Sequence, residues 1–204
     1  GLYFFLVCLI IIFSNINFLN ERLLLSMTLL TLGMFTIGLI DDKIEIKGST
    51  RLFLQFFVIA ISIIVDFNLN IDILYIGYNN HTIKIFTGSI LFSIFCIMAL
   101  TNAINLADGE DGLITSIFMI FLIIFFLRNQ EPLNDFYVSL IFSCLFFLIY
   151  NVKGLIFLGN SGSYLVGGLM SFILIQCYNY SFLPIEEIFL LLYLVGSCLS
   201  YFFF

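Results

Sequence analysis

The chain has 204 residues, of which 62% are apolar and only 10% are charged, and its mean hydropathy is +1.19. A water-soluble domain carries about a quarter charged residues, so the composition excludes a soluble globular protein and predicts a membrane protein. The formal net charge of −6 argues against a nucleic-acid partner, because proteins bind nucleic acids through patches of Lys and Arg.

Runs of apolar residues follow one another along the chain, and each predicts a membrane-spanning helix, which needs about 20 mainly apolar residues. The eight runs cover residues 2–18, 23–40, 52–67, 89–106, 113–127, 136–150, 164–178 and 185–204. The first run has no basic segment and no small-residue cleavage site, so we interpret it as a spanning helix and not as a signal peptide. The chain opens on Gly1 and stops inside an apolar run at Phe204. We therefore predict an all-α polytopic membrane protein whose residues 1–204 form a single transmembrane domain, truncated at both ends.

The connection between the third and fourth runs has a different pattern. Residues 70–77 and 81–86 alternate β-branched and polar side chains on either side of Tyr78-Asn79-Asn80. Alternation flanking an Asn-rich turn predicts a small β-hairpin, lying on the membrane surface.

Successive spanning helices switch sides, so alternate connections share a face of the membrane. Connections 41–51, 107–112 and 151–163 then lie on one face, which carries every motif named below. This motif face has four basic residues against three on the other face: Lys43, Lys47, Arg51 and Lys153 against Arg22, Lys84 and Arg128. The excess predicts that the motif face is cytoplasmic.

The first motif is the carboxylate pair Asp41-Asp42 at the end of the second run, followed by Lys43, Lys47 and Arg51. Adjacent carboxylates repel each other unless a cation lies nearby. Acidic groups for a metal and basic groups for phosphate oxygens fit phosphoryl-group binding. The alternative is an ordinary charged helix end.

The second motif covers residues 101–113, where Asn102, Asn105, Asp108 and Asp111 are spaced three apart. On a helix this spacing forms one polar stripe that leads from the membrane interior to its face. Polar side chains within a span usually mark a site or a helix contact. The alternative is an Asn-mediated helix contact followed by a Gly-rich turn.

The third motif covers residues 157–163, directly before the seventh predicted helix, and includes Asn160, Gly162 and Ser163. Free backbone N–H groups at a helix N-terminus are a natural anion site. The segment lacks the Gly-Lys-Ser/Thr ending of a P-loop, so it does not resemble a soluble nucleotidase.

Taken together, the three motifs resemble the polyprenyl-phosphate N-acetylhexosamine-1-phosphate transferases of glycosyltransferase family 4, which include the phospho-N-acetylmuramoyl-pentapeptide transferases. The resemblance covers residues 33–168. Asp41-Asp42 with downstream Arg51 and Gln55 resembles the family's aspartate pair with its basic residue and Gln. Residues 105–113 resemble the signature Asn-Leu-x-Asp-Gly-x-Asp-Gly-Leu, and residues 157–163 resemble Phe-x-Gly-Asp-x-Gly-Ser.

The resemblance implies roles for these residues. It implies that Asn105 and Asn160 hold Mg²⁺ or Mn²⁺, and that Asp108 and Asp111 line a nucleotide-sugar pocket. The pair Asp41-Asp42 would lie where the lipid phosphate is activated, and these two residues together with Asp108 and Asp111 would be the catalytic residues. The remaining candidate substrate-binding residues are Lys43, Lys47, Arg51, Asn102, Asn151, Gly162 and Ser163.

The resemblance also implies an activity, partners and a location. These are the transfer of N-acetylhexosamine-1-phosphate from a UDP-sugar to polyprenyl (undecaprenyl) phosphate with release of UMP, in cell wall or lipopolysaccharide synthesis at the inner (plasma) membrane, by an enzyme that forms homodimers. Two departures are Asn160, where the family has Asp, and the lack of a His-rich loop. The alternatives are a catalytically silent relative that binds nucleotide-sugar or lipid, and an ion-coupled transporter, whose site would lie nearer the membrane midplane.

Overall fold

A computed structural model describes residues 21–76, 81–127 and 134–181. These residues form α1 (Glu21–Ile44), α2 (Gly48–Val65), a 3₁₀ helix (Phe67–Leu69), β1 (Ile73–Ile76), β2 (His81–Lys84), α3 (Ser89–Ala107), α4 (Leu113–Leu127), α5 (Asn134–Asn151) and α6 (Gly159–Ser181). The predicted fold class, a helical protein with a small β-hairpin, is confirmed for this part of the chain.

Four of these helices are long and apolar enough to cross a membrane, namely α1, α2, α3 and residues Gly159–Asn179 of α6. The apolar helices α4 and α5 are shorter. All six agree with predicted runs, whereas the runs at 2–18 and 185–204 fall outside the described residues. The total of about eight spans and the single domain over residues 1–204 therefore stay predictions.

Helix α6 lies at the centre of the bundle, and its residues 161–178 are all buried. Helix α1 packs on it closely, because a Cβ added at Gly168 would lie 3.3 Å from Cγ of Met34. Helix α3 packs on it through Gly167, where an added Cβ would lie 2.8 Å from Cα of Thr101. Small residues let membrane helices approach to backbone contact, so these glycines set how near α1 and α3 lie to α6.

Two predicted helix ends are wrong, and both errors concern motifs. Helix α1 continues to Ile44, so the pair Asp41-Asp42 lies in its last turns and does not follow it. Helix α6 begins at Gly159, so the third motif forms its first turn and does not precede it. Each helix extends beyond its apolar run because the polar residues there find partners in the structure.

The hairpin is confirmed as an antiparallel pair in which Ile73 lies opposite Lys84 and Ile76 opposite His81. Its strands are shorter than predicted, and the turn at 77–80 lies outside the described residues. The Tyr178 hydroxyl donates to the carbonyl oxygen of Ile73 (2.8 Å) and accepts from the N–H of Tyr75 (2.9 Å). The hairpin therefore docks on the end of α6 that is opposite the third motif. About 35 Å separates the two ends, at 1.5 Å per residue.

Candidate active site

The first and third motifs meet through the Asp42 carboxylate. Its Oδ1 accepts from the N–H of Asn160 (2.9 Å) and its Oδ2 from the N–H of Ser161 (3.0 Å). The first N–H groups of a helix have no partner within the helix, and the helix dipole favours a negative charge there. Asp42 therefore caps α6 from more than 100 residues away in sequence. Its carboxylate is the anion at the helix N-terminus that was predicted to be an anion site.

The second and third motifs meet through Asn105 on α3. Its Nδ2 donates to Oδ1 of Asn160 (2.9 Å) and to Oγ of Ser163 (2.8 Å). The two residues predicted to hold a metal, Asn105 and Asn160, are thus bonded to each other. A cation that used the Asn160 carbonyl oxygen would compete with this hydrogen bond.

Asn151 at the end of α5 connects the second motif to the loop before α6. Its side chain is buried, with Oδ1 accepting from the N–H of Gly112 (2.9 Å) and Nδ2 donating to the carbonyl oxygen of Ile156 (2.8 Å). Gly112 has a φ of +86°, which is the left-handed conformation that glycine adopts without strain. Asn151 was predicted to bind substrate, but both ends of its amide are hydrogen-bonded to the backbone.

These contacts enclose a polar cavity of about 470 Å³ at the end of the bundle. Its described lining residues are Asp42, Asp108, Gly109, Glu110, Asp111, Asn151, Phe157, Leu158, Gly159 and Asn160. All three motifs contribute, as the shared membrane face required. Four carboxylates line the cavity, and none of its described lining residues is basic. A position at one end of the bundle, and not midway along it, is unlike a typical transporter site.

The cavity changes the protonation of the Asp108 carboxyl group. It follows the last residue of α3, and burial raises its pKa from 3.8 to about 6, with a further upward contribution from the negative charges of Asp111 and Asp42. Carboxylates that repel one another in this way are stabilised by a bound cation.

The predicted polar stripe from Asn102 to Asp111 is wrong beyond α3. The helix ends at Ala107, and the residues that follow form turns up to Gly112. The glycines at 109 and 112 favour the turn over a further helical turn. Asp108 and Asp111 still line the cavity, because the turn and not a helix face brings them there.

Several predicted site residues lie beside the cavity and do not line it. The buried Asp41 carboxylate accepts from Arg51 Nη1 (3.1 Å) and from the N–H of Ile46 (3.1 Å). Asn102 bonds to Gln55 on α2, as the alternative of a helix contact required. Lys43 and Lys47 are exposed, while Gly162 and Ser163 are buried in the first turns of α6. The substrate-contact roles of these residues stay predictions.

The comparison with known protein families agrees with this arrangement. The model of glycosyl transferase family 4 matches residues 24–178, a span that contains all three motifs and each wall of the cavity. The chain belongs to glycosyl transferase family 4. The resemblance inferred from the motifs is therefore confirmed.

Several curated proteins of related sequence are named phospho-N-acetylmuramoyl-pentapeptide-transferase. The protein from Staphylococcus carnosus (strain TM300) is 30% identical over 178 residues, covering 79% of this chain and 54% of that protein. The protein from Staphylococcus haemolyticus (strain JCSC1435) is 30% identical over 174 residues, covering 77% and 54%. The protein from Staphylococcus aureus (strain JH9) is 29% identical over 197 residues, covering 86% and 60%. The chain thus spans about half the length of the curated family 4 relatives it matches.

Two residues that shape this family 4 site were not among the predicted site residues. Glu110 lines the cavity, although it stands at a variable position of the second motif. Gly38 on α1 faces the start of α6, where an added Cβ would lie 2.6 Å from Cα of Ser161. A glycine inside a helix costs about 1 kcal/mol relative to alanine. A glycine one turn before Asp41 could therefore have indicated that another segment packs closely on α1 there.

Replacing Asn151 with Ala should lower stability more than activity per folded molecule. The change leaves the Gly112 N–H and the Ile156 carbonyl without partners in a buried place, which costs about 1–3 kcal/mol. Thermal unfolding of the purified protein in detergent measures the loss. Asn68, an exposed asparagine at the other end of the bundle, supplies the control Asn68→Ala, and equal melting temperatures for the two variants would contradict the prediction.

The raised pKa of Asp108 should make the folded state lose stability as pH rises through the window from 3.8 to about 6. In that window the folded protein binds more protons at this carboxyl than the unfolded chain does, so the free energy of unfolding falls with increasing pH. Unfolding temperatures at pH 4.5 and pH 7 measure the effect. Asp108→Asn should reduce the difference between them, and the exposed Asp135→Asn should not; a difference left unchanged by Asp108→Asn would refute this origin.

Proposed function

We propose that the complete protein transfers N-acetylhexosamine-1-phosphate from a UDP-sugar to polyprenyl phosphate and releases UMP. The observation that carries the proposal is a cavity lined by four carboxylates, which the three sequence motifs form together at the end of an apolar bundle. A lipid-anchored acceptor and a water-soluble donor can meet only at a membrane face. Membership of family 4 and the similarity to phospho-N-acetylmuramoyl-pentapeptide-transferases support the same class of reaction.

In this reaction a phosphate oxygen of the lipid attacks the β-phosphorus of the nucleotide-sugar. A new phosphoanhydride bond forms to the sugar-phosphate, and the bond to the α-phosphate breaks, so that UMP leaves. Both partners are anions and the cavity is acidic, so charge repulsion is the main obstacle. The donor proposed here is a UDP-linked N-acetylhexosamine, a class that includes the N-acetylmuramoyl derivative named for the relatives.

We propose Mg²⁺ as the cofactor that removes this obstacle, with Mn²⁺ as its substitute. The donor set fits, since it consists of oxygen atoms and Mg²⁺ needs only one or two carboxylates while it keeps several waters. No group of three or more His, Cys, Asp or Glu is arranged around a common point among the described residues. The carbonyl oxygens of Asn105 and Asn160 are the predicted ligands, together with the carboxylates of Asp108 and Asp111 that line the cavity. The cation would supply charge neutralisation of the reacting phosphates.

The side chains of the cavity then have separate tasks. Asp42 holds the start of α6, and with it Asn160, in place. Asp108, whose pKa burial raises to about 6, can exchange a proton with the acceptor phosphate near neutral pH. Phe157 and Leu158 give the cavity an apolar edge, which suits the lipid end of the acceptor. We place this face in the cytoplasm, where nucleotide-sugars are made.

The test uses the complete protein in membranes, with undecaprenyl phosphate, Mg²⁺ and two radiolabelled donors in parallel: UDP-N-acetylglucosamine and UDP-N-acetylmuramoyl-pentapeptide. Metal-dependent entry of label into lipid, lost in Asp108→Ala, is the expected result, and the donor that is used assigns the substrate. Absence of transfer from either donor at any metal concentration would reject the proposal.

A catalytically silent relative is the second candidate, and one observation favours it. Asn160 provides no charge for a cation, and its carbonyl oxygen already accepts a hydrogen bond from Asn105. Restoring the family's residue with Asn160→Asp keeps that acceptor and adds a charge. A transferase should bind Mg²⁺ more tightly in this variant, whereas a silent relative should show no transfer before or after the change.

A further inference from the structure

Helix α2 carries two polar residues, Arg51 and Gln55, on the face that packs against the described part of the bundle. Only Gln55, Ile59, Ser62 and Ile63 of this helix are buried, and much of its remaining surface is exposed. Arg51 lies one turn before Gln55 on the same side, and its side chain is 28% exposed. A membrane helix that is exposed along most of its surface is held in position by the contacts of its buried face.

Arg51 joins α2 to both α1 and α6. Its Nη1 donates to Oδ2 of Asp41 at 3.1 Å, and its guanidinium carbon lies 5.8 Å from the centre of the Tyr164 ring. Asp41 is 5% exposed and its other oxygen accepts from the N–H of Ile46, so both of its oxygens are occupied. The residue next to Asp41 is Asp42, which caps α6.

Gln55 joins α2 to α3 by a reciprocal amide pair. The Asn102 Nδ2 donates to Gln55 Oε1 at 2.7 Å, and the Gln55 Nε2 donates to Asn102 Oδ1 at 3.4 Å. Gln55 is fully buried. Asn102 precedes Asn105 by three residues and lies nearly above it on the helix, so the amide pair fixes the rotation of α3 that points Asn105 at Asn160.

We propose that Arg51 and Gln55 are positioning residues of the site: they hold Asp41 and Asn102 so that Asp42 and Asn105 meet the first turn of α6, and they do not touch the substrates. This inference rests on the proposed function. The described residues that line the cavity include none of the four residues in these contacts, namely Arg51, Asp41, Gln55 and Asn102. It reassigns Arg51 and Asn102, which the sequence suggested as substrate contacts.

The contacts are of a kind that fixes geometry. A buried amide that loses its partner retains an unsatisfied polar group in a medium without water, so the reciprocal pair strongly prefers one arrangement. Removing one member of a buried ion pair leaves an uncompensated charge. A displacement of about 1 Å at a reacting centre lowers catalysis about 100-fold, so a small rotation of α1 or α3 is enough.

The experiment is a double-mutant cycle on Gln55 and Asn102 in the complete protein, measured by transfer kinetics. Gln55→Leu and Asn102→Leu should each lower kcat about tenfold or more, with KM for both substrates within about twofold. The double variant should be no worse than the poorer single one. The exchange Gln55→Asn with Asn102→Gln, which restores an amide pair, should recover activity above either single variant.

Arg51→Met completes the test against a substrate contact, with the exposed Lys153→Met of the same membrane face as its control. If Arg51 is a positioning residue, Arg51→Met should lower kcat and leave KM for polyprenyl phosphate unchanged. A KM raised about tenfold at unchanged kcat, or additive losses in the Gln55–Asn102 cycle, would overturn the inference.

The proposed function and this inference fail in different ways. If the wild-type protein transfers nothing, the proposed function is rejected, and the same Gln55–Asn102 cycle is measured by thermal unfolding. If the shift in unfolding temperature of the double variant differs from the sum of the two single shifts, the Gln55–Asn102 contact is upheld. If the shifts add, the contact is rejected.

Discussion

Asp42→Asn should lower transfer activity at least about 100-fold without preventing folding. The Asp42 carboxylate accepts two N–H groups, those of Asn160 and Ser161, and the amide that replaces it offers one oxygen and one NH₂ group. The NH₂ group would face an N–H donor, and the attraction between the carboxylate and the helix dipole is lost. The first turn of α6 then moves away from α1, which misplaces Asn160 relative to Asp108.

The magnitude follows from position and charge together. Hydrogen bonds to a charged group contribute about 1.5–3 kcal/mol, and a shift of about 1 Å near the reacting atoms costs about 100-fold in rate. Transfer of radiolabel to lipid, at saturating donor and Mg²⁺, is the measurement. Asp135→Asn, which alters an exposed acid in the first turn of α5, is the matched control. Activity within threefold of the wild type in Asp42→Asn would contradict the role given to Asp42.

Gly38→Ala should destabilise the protein and reduce its activity to a tenth or less. A Cβ at this position would collide with the carbonyl oxygen of Asn160 and would lie 2.6 Å from Cα of Ser161. Both obstacles are backbone atoms, which cannot rotate away as a side chain can. Alanine favours a helix by about 1 kcal/mol over glycine, while overpacking costs about 1–3 kcal/mol, so the clash outweighs the gain.

A second glycine, on the same side of the membrane as the motifs, provides the control for this prediction. Gly48 begins α2, and an added Cβ there meets nothing within 4 Å, so Gly48→Ala should leave both stability and transfer unchanged. The unfolding temperature in detergent should fall for Gly38→Ala, by about 2–4 °C for each kcal/mol of net destabilisation in a protein of this size. An unchanged unfolding temperature in Gly38→Ala would show that α1 and α6 can separate without cost.

Local sequence patterns predicted the elements of this fold well. The bounds of α4 agree with its apolar run, and the hairpin follows from the alternation around residues 78–80. Both patterns depend on neighbours along the chain, so the sequence alone contains them. Helix parity similarly placed the three motifs on one face, because each spanning helix has only two possible directions.

Contacts between distant residues were beyond the same reasoning. Nothing near Asp42 in the sequence indicates that it caps α6, and nothing near Asn102 indicates a partner on α2, 47 residues earlier. Parity gives the side of the membrane but no distance. The polar stripe was predicted wrongly for a related reason, since the spacing of Asn105, Asp108 and Asp111 continues past Ala107, where α3 ends and glycines turn the chain.

The buried state of α6 has a consequence for how the protein is made. The segment Gly159–Asn179 is the least apolar of the four candidate spans, and it carries Ser163, Ser171 and Gln176. Insertion of a single helix from the ribosome-bound channel depends on its own apolarity, so α6 is a poor substrate for independent insertion. It needs α1 and α3, which are synthesised earlier, as partners that shield its polar side chains from lipid. The helix that organises the site should therefore be the last of the four to become stable in the bilayer during biogenesis.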